Sequence, residues 1–121
     1  MNSSEKSRQL EHRTFKFSEN VIQLCRKLKA DNISSPIINQ LICSATSIGA
    51  NYLEANNASS KKDFTNKIFI CKKESEETKY WLKILFPCYP NEKELLDGLY
   101  DEGRQLNLIF QKIVSTIRND K

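Results

Sequence analysis

Between Gln40 and Glu54 the chain reads QLICSATSIGANYLE, apolar or small on nearly every side yet carrying Gln40, Asn51 and Glu54. At 3.6 residues per turn, Ile37, Leu41, Ser44 and Ile48 form one stripe. Ile38, Ile42, Ala45, Gly49 and Tyr52 form a second beside it. Two adjacent stripes make a wide buried face, so this helix needs neighbours on several sides. Its small residues, Ser44, Ala45, Ser47, Gly49 and Ala50, let one neighbour approach closely. Its polar groups would cost several kcal/mol, roughly, if buried without partners, so the neighbours must also answer them.

The rest of the chain supplies three such neighbours. Leu10, Thr14, Phe17, Val21, Leu24 and Leu28 repeat at the 4-3 spacing of a bundle seam. Phe64, Ile68, Cys71, Ser75, Thr78, Leu82 and Leu85 do the same further on. Leu95, Leu99, Leu106, Ile109, Ile113 and Ile117 define a fourth segment. Ser35-Pro36 and Ser60-Lys-Lys-Asp63 are helix-start signals, and Pro87-Cys-Tyr-Pro90 is a break. Gly98 and Gly103 weaken the fourth helix by about 1 kcal/mol each relative to Ala, which predicts tight packing there. Short connections favour antiparallel neighbours. The expectation is one all-α domain over residues 1–121. It is an antiparallel up-down-up-down four-helix bundle with helices near 7–29, 36–55, 61–86 and 92–118.

Composition narrows the chemistry. With three glycines and three prolines the chain has little material for a turn-rich β fold. The start, MNSSEKSRQLEHR, lacks the apolar stretch of a signal peptide, and no apolar run reaches the roughly 18 residues of a membrane helix. Cys25, Cys43, Cys71 and Cys88 form no C-x-x-C pair. These features together predict a cytoplasmic protein with reduced thiols and no membrane partner. A single histidine, His12, argues against zinc, against a di-iron centre built on Glu-x-x-His, and against a hydrolase triad. No glycine-rich phosphate loop is present. The sequence therefore predicts no catalytic residues, no metal and no cofactor.

Two groups of polar residues remain. Arg13, Gln40, Asn51, Glu54, Glu77 and Thr78 are read as a structural network that fixes helix register, with Arg13 reaching Glu54 across antiparallel helices. Lys61, Lys62, Lys67, Arg118 and Lys121 fall at one pole of the expected bundle, where helices one and three start and helices two and four end. The net charge of +4 permits a polyanion partner without requiring one. These five are the candidate nucleic-acid contacts, for RNA or DNA. Tyr80 and Trp81 lie off the third seam and suggest a second contact surface, internal or between subunits. An interaction scaffold with a protein partner is the alternative reading.

Gln40-Leu41, Ser44-Ala-Thr-Ser-Ile48, Asn51, Glu54-Ala55 and Lys62-Asp-Phe64, followed by Lys67 to Glu74 and Glu77 to Leu82, resemble a known signature. It is that of the bacterial four-helix-bundle proteins encoded by intervening sequences in 23S ribosomal RNA genes. The resemblance implies a small antiparallel bundle without established enzymatic activity, assembled as a homopentamer with a central channel. The related accessory variability determinant proteins of diversity-generating retroelements are similar pentamers that bind nucleic acid and a reverse transcriptase. Where the family has Glu followed by Gly at the end of helix two, this chain has Glu54-Ala55, so Asn56 or Asn57 is expected to end the helix.

Overall fold

The computed structural model describes residues 3–119, with side chains from residue 5 onward. Four helices, α1 (Ser3–Lys27), α2 (Ser34–Asn56), α3 (Lys61–Cys88) and α4 (Lys93–Asn119), account for nearly all of it. A single 3-10 turn, Pro90–Glu92, precedes α4, and among the described residues there is no strand. Each helix packs on its neighbours in the order α1–α2–α3–α4 and back to α1, an up-down-up-down bundle. The α1–α4 face is therefore opposite the α2–α3 face.

Local signals set the ends, with differences from the expected bounds. Helix α2 begins at Ser34, so Pro36 stands in its third position and not its first. Asp31 supplies the start signal expected of Ser35. Its Oδ1 accepts the backbone N–H groups of Ile33 (2.9 Å) and Ser34 (2.8 Å), while Ser34 Oγ accepts the Asp31 N–H. This is a reciprocal capping box with the acid first. Ser60 caps α3 as its pattern predicts, its hydroxyl accepting the Asp63 N–H at 3.0 Å. Helix α3 runs one residue past Pro87, because a proline in the last turn removes only one internal bond. Asn57 ends α2 without a left-handed residue, its N–H donating to Glu54 O and that of Ala58 to Ala55 O, each at 3.1 Å.

The expected seams of α1 and α3 are buried, with Phe64 only partly so. The α4 seam is rotated from its expected stripe. Leu96, Leu99, Leu106, Phe110 and Val114 fill the core, whereas Leu95 is 42% exposed and Ile109, Ile113 and Ile117 lie at its edge. The sequence carries two apolar stripes on α4, and only the packing of α3 decides which one turns inward. Small residues on α2 do admit a close neighbour. A Cβ added at Gly49 would lie 3.4 Å from Thr14 Oγ1, and Ser18 Oγ reaches the Ala45 carbonyl at 3.4 Å. Gly103 is packed against Phe17, but a Cβ at Gly98 would meet nothing within 4 Å. Tight packing thus explains one of the two α4 glycines.

Candidate nucleic-acid interface

The antiparallel order brings the starts of α1 and α3 and the ends of α2 and α4 to one pole. Lys61 and Lys62 occupy the exposed first turn of α3. Cations there are placed against the positive end of the helix dipole, an arrangement that favours an added anion over isolated folding. Arg118 lies in the last turn of α4 with its guanidinium 5.4 Å from the Phe69 ring centre, a cation–π contact that holds it beside α3. Lys6 and Arg8 are exposed on the first turns of α1. Lys121 lies outside the described residues.

Lys67 has a different place. Its Nζ pairs with Glu54 at 2.8 Å, and that bond and charge raise its pKa. The pair neutralises the cation, so Lys67 contributes less to the field of the pole than its position in the sequence suggests. Beside the pole a trough with space of about 620 Å³ opens between α1 and α4. Phe64, Ile113 and Ile117 form part of its apolar floor, and Lys6 and Lys112 its cationic side, with no carboxylate in the lining.

The expected polar network is not one network. Arg13 does not meet Glu54. Its Nε and Nη2 hold Glu102 at 2.7 and 2.9 Å, and Nη2 also donates to Gln105 Oε1 at 2.6 Å. This bidentate strut ties α1 to α4, and the Glu102 bond raises the Arg13 pKa against the opposing cost of burial. Gln40, Glu54 and Glu77 are exposed. Asn51 turns to its own helix, donating to the Ser47 carbonyl at 2.8 Å and to Ser47 Oγ. Of the six, Thr78 alone joins two helices inside the core, its hydroxyl 2.9 Å from Ser44 Oγ and 2.8 Å from the Glu74 carbonyl. Glu74, partly buried beside Glu77, has its carboxyl held above the usual range, chiefly by burial.

A second buried polar group stands outside the expected network. Asn107 is 1% exposed on α4 and donates to Ser75 Oγ at 2.8 Å and to the Lys72 carbonyl of α3. Its signal in the sequence is an Asn next to Leu106 at seam spacing, one position from the stripe that Ile109 and Ile113 mark. Trp81 Nε1 is buried without a hydrogen-bond partner, while Tyr80 against it is 58% exposed. Among the described residues no group of three His, Cys, Asp or Glu side chains is placed to hold a metal ion. No helix among the described residues is long and apolar enough to cross a membrane.

Comparison with known proteins agrees with this architecture. Residues 6–112 match the family described as 23S rRNA-intervening sequence protein. The fold is similar to the crystal structure of a protein of unknown function from the S23 ribosomal protein family of Bacteroides thetaiotaomicron. The two share 29% identity at a TM-score of 0.81, covering 91% of this chain and 98% of that one. No curated protein matches the chain.

Proposed function

Since the chain belongs to the 23S rRNA-intervening sequence protein family, we propose that it is a non-enzymatic, cytoplasmic, homo-oligomeric bundle, a pentamer by family resemblance, that binds RNA or DNA. Neither the family nor the structural relative is described as an enzyme. The single observation that carries the binding reading is the gathering of Lys61, Lys62, Arg118, Lys6 and Arg8 at one pole, beside a trough whose lining has no acid. Repetition of that pole in an oligomer multiplies a modest charge into a belt, which a chain of net charge +4 needs to hold a polyanion. Lys67 is a weaker contact because Glu54 occupies it.

The test is titration of labelled single- and double-stranded RNA and DNA across a salt series. Binding at low salt should weaken linearly in a log–log plot, with a slope near 0.9 for each duplex phosphate neutralised. Replacing Lys61, Lys62 and Arg118 by Glu should weaken binding and flatten that slope. No binding at low salt, or binding indifferent to salt, refutes the reading. The exposed Tyr80 favours the second reading, a scaffold for a different protein. That reading gains if the assembled oligomer leaves Tyr80 open and holds no nucleic acid.

A further inference from the structure

The α1–α4 seam is bridged by the Arg13 strut and otherwise opens as a groove with space of about 1130 Å³, floored by Phe17, Leu24 and Leu99. Its walls differ in sign. Arg8, Lys16 and Lys27 line the α1 side, with Glu5 at the lower mouth, while Glu94 and Glu102 line the α4 side. On the α4 wall Leu95 is 42% exposed and Gly98 faces open space. A glycine within a helix disfavours the helix relative to alanine, and nothing in its own chain requires one at Gly98. Close approach of an outside element at that point supplies the missing reason for both residues.

The opposite side of the bundle carries a matching shape. Tyr80 stands out from α3 with its ring 5.1 Å from that of Trp81 in an edge-to-face pair. A Cβ at Gly103 would lie 3.5 Å from Phe17 Cζ and 3.8 Å from Lys79 Cγ, so the groove floor and the Tyr80 ridge share one level along the bundle. The flanks of the ridge also differ in sign. Lys67, bonded to Glu54 of α2, marks the α2 side, and Glu74 follows on the same line two turns later with Glu77 beside it. Lys79, against Gly103, marks the α4 side, with Lys83 one turn further on.

We infer that the Tyr80–Trp81 ridge of one subunit seats in the α1–α4 groove of a second copy of this chain. The inference rests on the homo-oligomer reading above and specifies the contact that reading requires. Rotation about an axis parallel to the bundle keeps levels in register. It lays the acidic flank of the ridge on the basic α1 wall and the basic flank on the acidic α4 wall. Ridge and groove lie on different faces, so the contact is head-to-tail and leaves a free ridge and a free groove until a ring closes. A cation of the α1 wall opposite Glu74 also relieves the cost of its partial burial.

Two variants test this, each spoiling one half of the contact. Tyr80→Glu charges the ridge at an exposed position, and Gly98→Leu fills the groove where the fold has room. Native mass measurement should show a multimer for the parent chain. Each variant alone should be a monomer of parental helicity by circular dichroism. An equimolar mixture of the two should form a one-to-one heterodimer, because the intact ridge of one fits the intact groove of the other. A monomeric parent chain overturns both this inference and the homo-oligomer reading. A multimer that survives both substitutions, or variants that stay monomeric when mixed, overturns the ridge-in-groove contact and leaves the homo-oligomer reading standing.

Discussion

Removing the Asn107 side chain tests how α3 and α4 are held in register. Its amide donates to Ser75 Oγ at 2.8 Å and to the Lys72 carbonyl at 3.3 Å, and its oxygen accepts from Gln111. Asn107→Ala loses these bonds inside a site that is 1% exposed. At about 1 kcal/mol for each of two buried bonds, plus a small cavity, the expected cost is about 2–3 kcal/mol. Asn107→Leu loses the same bonds but fills the space, so without the cavity its cost should be smaller, about 1–2 kcal/mol. Asn107→Asp adds a pH signature. Burial raises the pKa of the new carboxyl in the folded state above its unfolded value of about 4. Below that value both states are neutral and the charge penalty is absent; it grows as pH rises towards the folded pKa. Urea melts at several pH values, followed by far-ultraviolet circular dichroism, measure all three variants. An Asn107→Ala cost under about 0.5 kcal/mol, or an Asn107→Asp variant whose deficit does not grow with pH, refutes the assigned role of this side chain.

Gly98→Ala should stabilise the isolated fold by about 0.5–1 kcal/mol, since the added methyl meets nothing. Gly103→Leu should destabilise it by about 1–3 kcal/mol against Phe17 and Leu82, and thermal melts of the pair separate the two glycines. Burial pushes the Cys71 thiol up to about 12 and the Cys25 thiol up to about 11, whereas Cys43 and Cys88 are exposed. Mass spectrometry after brief alkylation at neutral pH should find Cys43 and Cys88 labelled first, with Cys25 and Cys71 modified on unfolding. Bonds from the Ser34 and Ile33 backbone hold the Asp31 carboxyl below its ordinary range. Its stabilisation is therefore present above the unfolded pKa and lost as pH falls through the folded one. The gap in melting temperature between the parent chain and Asp31→Ala should be widest near neutral pH and close in acid.

The two helices that proved easiest to read, α1 and α3, each carry a single uninterrupted 4-3 stripe, so periodicity alone selects the buried face. Helix α4 defeated the same reasoning because Leu95, Ile109, Ile113 and Ile117 make a second apolar edge beside the true seam. Asn107 belongs to the inner stripe and is legible only with it. The capping signal at Ser60 was legible because its partner Asp63 is three residues away. Asp31 works through the same local spacing, but the Ser35-Pro36 pair offers a competing start signal just downstream.

The polar groups show where sequence reasoning stops. That Arg13 needs an acid follows from its place on a helix beside the core, but Glu54, Glu102 and Lys67 compete for partners across three helices. Distance chooses Glu102 for Arg13 and Lys67 for Glu54. The basic pole could be placed from the sequence because antiparallel order fixes which helix ends meet, and charge at a helix end needs no exact rotation. The groove, the ridge and their opposed charges depend on how far α1 stands from α4 and how each helix is rotated. Those quantities arise from the summed packing of side chains distant in sequence. The chain by itself thus determined four amphipathic helices, their order and which helix ends share a pole, all consequences of local spacing. Tertiary structure alone decided which stripe of α4 turned inward, which ions paired and which face stayed open, because each is a choice among several partners that only three-dimensional proximity can make.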